Sequence, residues 1–521
     1  MFLQSNIAVN KLFNPKPKPY IMSIQNLSLR QTMLSFAYLA YTGEGITTPK
    51  PDATILANIN SALPNITVTN SSGQQCTLAN WEIVWGPIAY TVPGGLYQDN
   101  LMYVVQNTGT NQYVIAVRGT NFVSQVDWFL EDFEIINTMP WPMPGANSGC
   151  AIGSAITEST SIDMNVVLGS NMTSNGLQLL PFLNGETANG PINICVTGHS
   201  LGGVLSNTLA LYLLENGSMW DQSSKSTVSC ISFAAPTGGN DLYAANANAV
   251  YSKAFSSDGS TSFPGWDTTL GTNLDNVACS MDAAPLFYTG SNIYTNGAAG
   301  ALFLLYNNPN GDTGCVNFGS LPLLAGKEWE YFQSLVLQQL AGFVTTQNYT
   351  QLTKQMLSGA FEGASLCLPD SSSLDLTYSL LSFLDAFEAQ AAWQHSSSYP
   401  ALLGVPDLFN PAIIVRDVAN APVVPTISSI SPDSSSGDYI DGISVTINGT
   451  GFDAGNMFAN FILFSDQTNL IPYRITAATE TQLTVTFYVN NCSDGVQNVS
   501  VATTSPYYTS NTETFTIQSL L

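Results

Sequence analysis

The amino-acid sequence predicts an α/β fold, a sheet flanked by helices, followed by a smaller all-β sandwich, and three observations carry that expectation. Ile192-Asn193-Ile194-Cys195-Val196-Thr197 reads as a buried apolar strand that passes through Gly198-His199-Ser200-Leu201-Gly202 into a helical pattern from Gly203 to Leu214. Two earlier apolar runs, Leu101 to Gln106 and Tyr113 to Val117, surround the turn-rich Asn107-Thr108-Gly109-Thr110-Asn111 as the arms of a hairpin do. Beyond Ala421-Pro422-Val423-Val424-Pro425 the pattern changes to short β runs, which divides the chain into residues 1–423 and 424–521.

Taken in order, the first twenty residues hold Lys11, Lys16, Lys18 and three prolines without an apolar stretch, so they are not expected to be a secretory signal. Met33 to Tyr41 is the first helix of the domain. The run Tyr113 to Val117 continues into Arg118-Gly119-Thr120, a strand ending in a loop. Phe122 to Trp141 is too apolar for a solvated loop (Phe122, Val123, Val126, Trp128, Phe129, Leu130) and is a candidate cover. After the Ser200 segment, Asn276-Val277-Ala278-Cys279-Ser280-Met281-Asp282 reads as a strand leading into a loop stopped by Pro285. Lys327 to Phe343 and Leu374 to Trp393 have helical spacing, so residues 286–392 are expected to be a helical insertion packed over the site or peripheral to it. In the second part, Ser444–Ile447, Phe461–Phe464, Gln482–Phe487, Val496–Val501 and Thr514–Ile517 have the spacing of a β-sandwich of about 100 residues.

The chemistry concentrates at Ser200. Gly198-His199-Ser200-Leu201-Gly202 is the one G-x-S-x-G in the chain. In such an elbow the serine sits on a sharp strand-to-helix turn, and the glycines on either side let neighbouring backbone approach without a Cβ clash. A serine hydroxyl is a weak nucleophile until a base within hydrogen-bond reach takes its proton. The chain has two histidines, and His199, held beside the serine on the elbow, cannot turn back to serve its own neighbour. His395 is therefore the candidate base. Ten aspartates lie between Ser200 and His395. Asp282, at the carboxyl end of a strand after the nucleophile, is the chosen acid, with Asp275 in reserve. The Leu201 backbone N–H and Thr120, through its N–H and hydroxyl, are the candidate oxyanion donors. The order Ser200, Asp282, His395 is that of α/β-hydrolases.

Composition sets the outer limits. The net charge is −24 with only 12 lysines and arginines, which argues against nucleic-acid and anionic-membrane partners. No stretch reaches the ~18 apolar residues of a membrane span. The eight cysteines form no C-x-x-C pair, so no metal site, redox motif or cofactor is expected. Cys195, Cys230 and Cys279 fall on predicted core strands. From residue 424 onward a single basic residue, Arg474, stands against eight acids, which removes a DNA-binding role for the second part.

These residues, in this order, resemble the class 3 lipase family, which also contains feruloyl esterases and plant phospholipases A1. Val117-Arg118-Gly119-Thr120 resembles the family's oxyanion signature, Gly198 to Gly203 its G-H-S-L-G-G elbow, and Ser232 to Asn240 the strand and loop that follow. Asp282 with Pro285 resembles its D-x-x-P acid, and His395 with Tyr399 its H-x-x-x-Y base. The similarity spans roughly residues 30 to 410; Asp127 to Asp132 differs from the family's spacing by one residue, and the interval from Asp282 to His395 is longer than usual. The resemblance implies an α/β-hydrolase-type sheet and a serine carboxylic-ester hydrolase, a lipase acting on acylglycerols through an acyl-enzyme on Ser200. Feruloyl esterase and phospholipase A1 are the alternatives, and Phe122 to Trp141 is implied to cover the site and move at a lipid surface. Pro425 to Pro432 and Val445 to Phe452 resemble the immunoglobulin-like TIG (IPT) module, a spacer or a binder of protein or glycan. A surface-binding protein with a degenerate hydrolase domain is the reading from another class; four dispersed residues, Ser200, Asp282, His395 and Thr120, stand against it. Low charge and a lipid-type substrate favour a location outside the cell or on its surface.

Overall fold

A computed structural model describes residues 24–42, 52–69, 73–90, 100–118, 138–143, 150–258, 260–279, 282, 349–357, 395 and 398–405, and in the second part 424–436, 443–452, 454, 460–464, 473–487, 489, 494–504 and 507–518. The apolar runs of the first part pair into one seven-stranded sheet. Its strands are β1 (Trp81–Tyr90), β2 (Asn100–Asn107), β3 (Gln112–Arg118), β4 (Asn193–His199), β5 (Thr227–Phe233), β6 (Leu274–Cys279) and β7 (Lys354–Leu357), lying side by side in chain order. The first three are antiparallel neighbours, and β3 through β7 run parallel. A mixed central sheet of this kind, with helices on it, fits the expected α/β-hydrolase fold.

Side chains alternate across the sheet, and here both faces are covered. Leu101, Tyr103 and Val105 of β2 enter one core with Cys195, Ile231 and Val277, whereas Met102 and Val104 enter a second core with Ile115, Val196 and Cys230. That double burial explains why these strands read as continuous apolar runs instead of alternating ones. The first core is capped by helix α1 (Ile24–Leu39), buried from Leu29 onward, together with α2 (Asp52–Ala62). The second is covered by α3 (Glu158–Val167), α4 (Leu179–Thr187), α5 (Leu201–Glu215) and α6 (Asp241–Ala254). Helix starts follow local chemistry: Thr157 accepts from the Thr160 N–H at α3, and Asn240 from the Tyr243 N–H at α6. Cys195, Cys230 and Cys279 are buried free thiols on strands, as expected.

One expectation needs correction. The interval 286–392 is not wholly helical, because Lys354–Leu357 forms β7 and extends the parallel sheet beyond β6. Four residues are too few to show a period, and the signal lies in the unpaired edge of β6, which only the tertiary structure reveals. The helical patterns Lys327 to Phe343 and Leu374 to Trp393 lie outside the described residues.

The described residues of the second part form two sheets. Thr426–Ser431, Ile443–Thr450, Gln482–Phe487 and Tyr473–Thr479 make one, in that order; Ser434–Ser436, Glu513–Gln518, Gly495–Thr504 and Asn460–Phe464 make the other, with Tyr507–Thr509 added to Gly495–Thr504. Val445, Ile447, Leu483 and Val485 of the first share one core with Ile462, Val501, Phe515 and Ile517 of the second. The β-rich arrangement is compatible with the expected sandwich. Tyr473–Thr479 escaped the sequence pattern because a bulge between Ile475 and Ala477 breaks its alternation.

Candidate active site

Strand β4 is buried through its length except at Asn193, and its two parallel neighbours place its carboxyl end level with those of β3 and β5: Arg118 pairs with His199, and His199 with Phe233. Ser200 follows at φ 59° and ψ −131°, and α5 begins at the next residue. A non-glycine residue in that region is strained by about 1–3 kcal/mol, so the surroundings must over-determine it. They do. The Ser200 N–H donates to the Phe233 carbonyl at 3.0 Å, and the Ser200 carbonyl accepts from Gly203 at 2.8 Å. Close approach requires glycine at 198 and 203: a Cβ on Gly198 would meet the Gly202 carbonyl and lie 2.7 Å from the Val117 oxygen, and one on Gly203 would lie 2.8 Å from the Phe233 oxygen.

Three distant segments meet at the serine. His395 Nε2 lies 2.8 Å from Ser200 Oγ, and His395 Nδ1 lies 3.1 Å from each oxygen of Asp282. A carboxylate only accepts, so Nδ1 carries the proton and Nε2 presents its lone pair to the serine hydroxyl. Asp282, just past the end of β6, accepts a further bond from the Tyr399 hydroxyl at 2.7 Å; that hydroxyl in turn accepts from the Cys279 N–H at 2.9 Å. Tyr399 belongs to the short helix α7 (Ser398–Leu403). Burial, and the Asp282 charge beside it, hold the Tyr399 phenol well above its ordinary pKa, so it remains a donor. Ser200, Asp282, His395 and Tyr399 are all essentially inaccessible to solvent.

The reserve acid has another partner. Asp275 accepts two bonds of 2.7 Å from the buried guanidinium of Arg30, which anchors α1 to β6. Leu201 opens α5, where the first N–H groups have no acceptor within the helix, as an oxyanion donor requires. Thr120 lies outside the described residues; β3 ends at Arg118, beside the elbow. Of Phe122 to Trp141, only Thr138 to Trp141 is described: Thr138–Pro140 pairs with Ala155–Thr157, and Trp141 is buried with its ring 5.7 Å from that of Tyr243.

Sequence reasoning missed what surrounds His199. Its ring is fully buried, with Tyr38 at 4.9 Å and Tyr41 at 6.0 Å on the α1 side and His395 at 4.7 Å on the other. Tyr41 donates to the His199 carbonyl at 3.0 Å. The helical spacing of Met33 to Tyr41 showed the helix, but nothing in it shows which tyrosines would reach the elbow. Among the described residues, no group of three or more His, Cys, Asp or Glu side chains is placed to hold a metal ion, and no helix is long and apolar enough to cross a membrane.

Comparison with known proteins adds to this geometry. A search of curated proteins finds no match to the chain. Among solved structures, M37 lipase is similar at 26% identity and a TM-score of 0.50, over 75% of this chain and 96% of that one. A lipase from Rhizopus microsporus var. chinensis (13% identity, TM-score 0.31, 53% of this chain and 75% of that one) and the Lip2 lipase of Yarrowia lipolytica (15%, 0.34, 52% and 76%) also match. The family model described as Lipase (class 3) matches residues 114–258, from within β3 through the elbow and α6, so this part of the chain is similar to class 3 lipases.

Proposed function

We propose that the protein is a serine carboxylic-ester hydrolase, a lipase that cleaves acylglycerols through an acyl-enzyme on Ser200. The observation that carries this reading is the 2.8 Å contact between Ser200 Oγ and His395 Nε2, continued through Nδ1 to Asp282. His395 takes the hydroxyl proton as Oγ attacks the ester carbonyl, and Asp282 holds the tautomer and stabilises the imidazolium. The Leu201 N–H and Thr120 receive the charge that develops on the carbonyl oxygen. His395 returns its proton to the departing alcohol, then activates the water that hydrolyses the acyl-enzyme. Similarity to M37 lipase supports a lipase over a feruloyl esterase or a phospholipase A1, whose selectivity is a matter of site shape. Residues 1–423 form the hydrolase domain in this reading, and 424–521 an immunoglobulin-like TIG module that acts as spacer or as binder of protein or glycan.

A fluorophosphonate labels Ser200 in this scheme, and Ser200→Ala removes nearly all turnover of p-nitrophenyl esters; an adduct on another serine, found by mass spectrometry, overturns the assignment. A panel of p-nitrophenyl chain lengths, triolein, a phospholipid and methyl ferulate identifies the substrate class. If Phe122 to Trp141 is a lid, the rate on a short triglyceride rises steeply once its solubility limit is passed. Simple saturation through that limit favours an open-site esterase.

A further inference from the structure

The G-x-S-x-G of this chain places a histidine immediately before the serine, and the mechanism leaves it without a part. His199 is the last residue of β4, so its backbone is fixed by ladders to β3 and β5, and its ring cannot reach Ser200 Oγ. The ring points instead across the elbow: His199 Nε2 lies 2.6 Å from the backbone carbonyl oxygen of His395. A carbonyl oxygen only accepts, so Nε2 carries the proton. The other ring nitrogen, Nδ1, lies 3.3 Å from the Tyr41 hydroxyl. Two segments separated by 196 positions, one bearing the nucleophile and the other the base, are thus joined directly by this side chain.

We propose that His199 is a positioning residue for acyl transfer, its neutral imidazole setting the spacing between the elbow that carries Ser200 and the segment that carries His395. The inference rests on the reading of Ser200 and His395 as nucleophile and base. Spacing of this kind is costly to lose, because a misplacement of about 1 Å in a reacting pair lowers the rate by as much as about 100-fold. The base also arrives after a long interval from Asp282, and α7 begins only three residues beyond it. A tie to its own carbonyl adds a main-chain constraint to the side-chain bonds that hold His395.

Neutrality is part of the role. Among the described residues, the titratable groups whose rings lie against it are Tyr38 of α1, Tyr41 just beyond that helix, Tyr399 of α7, and His395 itself. None of them supplies a negative charge at neutral pH. Burial, and then the neighbouring His395, push the His199 pKa well below that of a free imidazole, against the opposing effect of its bond to the His395 carbonyl. A neutral ring lies 4.7 Å from His395 when the latter takes the serine proton, so no like charge opposes the imidazolium.

The test uses the full chain, whose two histidines give two imidazoles in a spectrum of histidine-labelled protein. The expected result is one ring in the Nε2–H form that does not titrate between about pH 5 and 8.5, and whose signals vanish in His199→Gln. An Nδ1–H form for His199, or titration within that range, overturns the inference. In kinetics, His199→Phe keeps the ring volume but loses the donor, and lowers kcat on p-nitrophenyl butyrate about 30- to 100-fold with KM within about threefold. His199→Gln keeps a donor near the same place and returns kcat to within about fivefold of the wild type. Fluorophosphonate labelling of Ser200 slows in parallel. A folded Phe variant with wild-type kcat, or Phe and Gln variants equally impaired, defeats the proposal; if the Phe variant does not fold, the tautomer and the Gln variant decide it. Wild-type protein that neither hydrolyses esters nor labels at Ser200 defeats the functional reading instead, and is told apart from these outcomes by that control.

Discussion

At the scale of single residues, Asp282 is held by more bonds than its proposed role as a counter-charge needs. Both of its oxygens face His395 Nδ1, and one also accepts from Tyr399. Asp282→Asn turns an amide N–H toward Nδ1 or leaves it a single weak acceptor, and so favours the wrong tautomer; kcat on a soluble ester is expected to fall by about four powers of ten while circular dichroism stays unchanged. Tyr399→Phe leaves the carboxylate in place but removes the hydroxyl that donates to it and accepts from the Cys279 N–H, and a stability loss of about 1–3 kcal/mol, read by denaturant titration, accompanies a smaller loss in kcat. His199 links the site to pH. Its folded pKa lies well below the 6.5 of a free imidazole, so on acidification the unfolded chain takes up the proton first. Stability from this residue is complete above about pH 6.5 and declines below it, by about 1.4 kcal/mol per pH unit. Denaturation midpoints at pH 7.5 and 5.5 therefore differ more in the wild type than in His199→Gln; equal differences contradict the shift.

At the scale of elements, α1 organises one face of the site. Its middle is nailed to β6 by Arg30 and Asp275, to the end of α7 by Gln31 and the Leu403 carbonyl, and to β2 by the Tyr103 hydroxyl and the Phe36 carbonyl. Tyr38 at its far end and Tyr41 just beyond it then lie against His199. A buried ion pair is weak evidence for stability as a whole, but breaking it strands a charge. Arg30→Met is expected to destabilise the fold by about 3–5 kcal/mol and to lower the temperature at which activity is lost. The double variant Arg30→Met, Asp275→Leu recovers most of that loss. If the single variant keeps the wild-type melting temperature, α1 is not anchored as described.

At the scale of the whole molecule, the apolar core that runs from Ile427 to Ile517 contains, among the described residues, none of the first part. None of the triad candidates lies beyond His395. Removal of residues 424–521 is therefore expected to leave turnover of p-nitrophenyl butyrate within about twofold of the full chain, because the proposed acyl-transfer groups all precede the cut. A truncated chain that folds by circular dichroism yet loses this activity contradicts the division at residue 423.

Local chemistry and periodicity were sufficient for much of this. The strand into Ser200 and the helix out of it were legible because continuous burial and a strained turn both constrain residue types at neighbouring positions: apolar residues along β4, and small residues at 198 and 203, where a Cβ meets backbone. The scarcity of histidine made His395 the candidate base without any knowledge of the fold. The choice of Asp282 over Asp275 was only a preference in the sequence, since both lie close to one another along the chain; it took the third dimension to bring His395 to Asp282 and Arg30 to Asp275. Lys354–Leu357 as a strand, and His199 as the tie between elbow and base, were likewise decided by tertiary structure. The physical reason is the same in each case: a hydrogen bond or a sheet edge that joins residues a hundred or more positions apart leaves no periodic trace in the chain, whereas burial and backbone strain are written residue by residue.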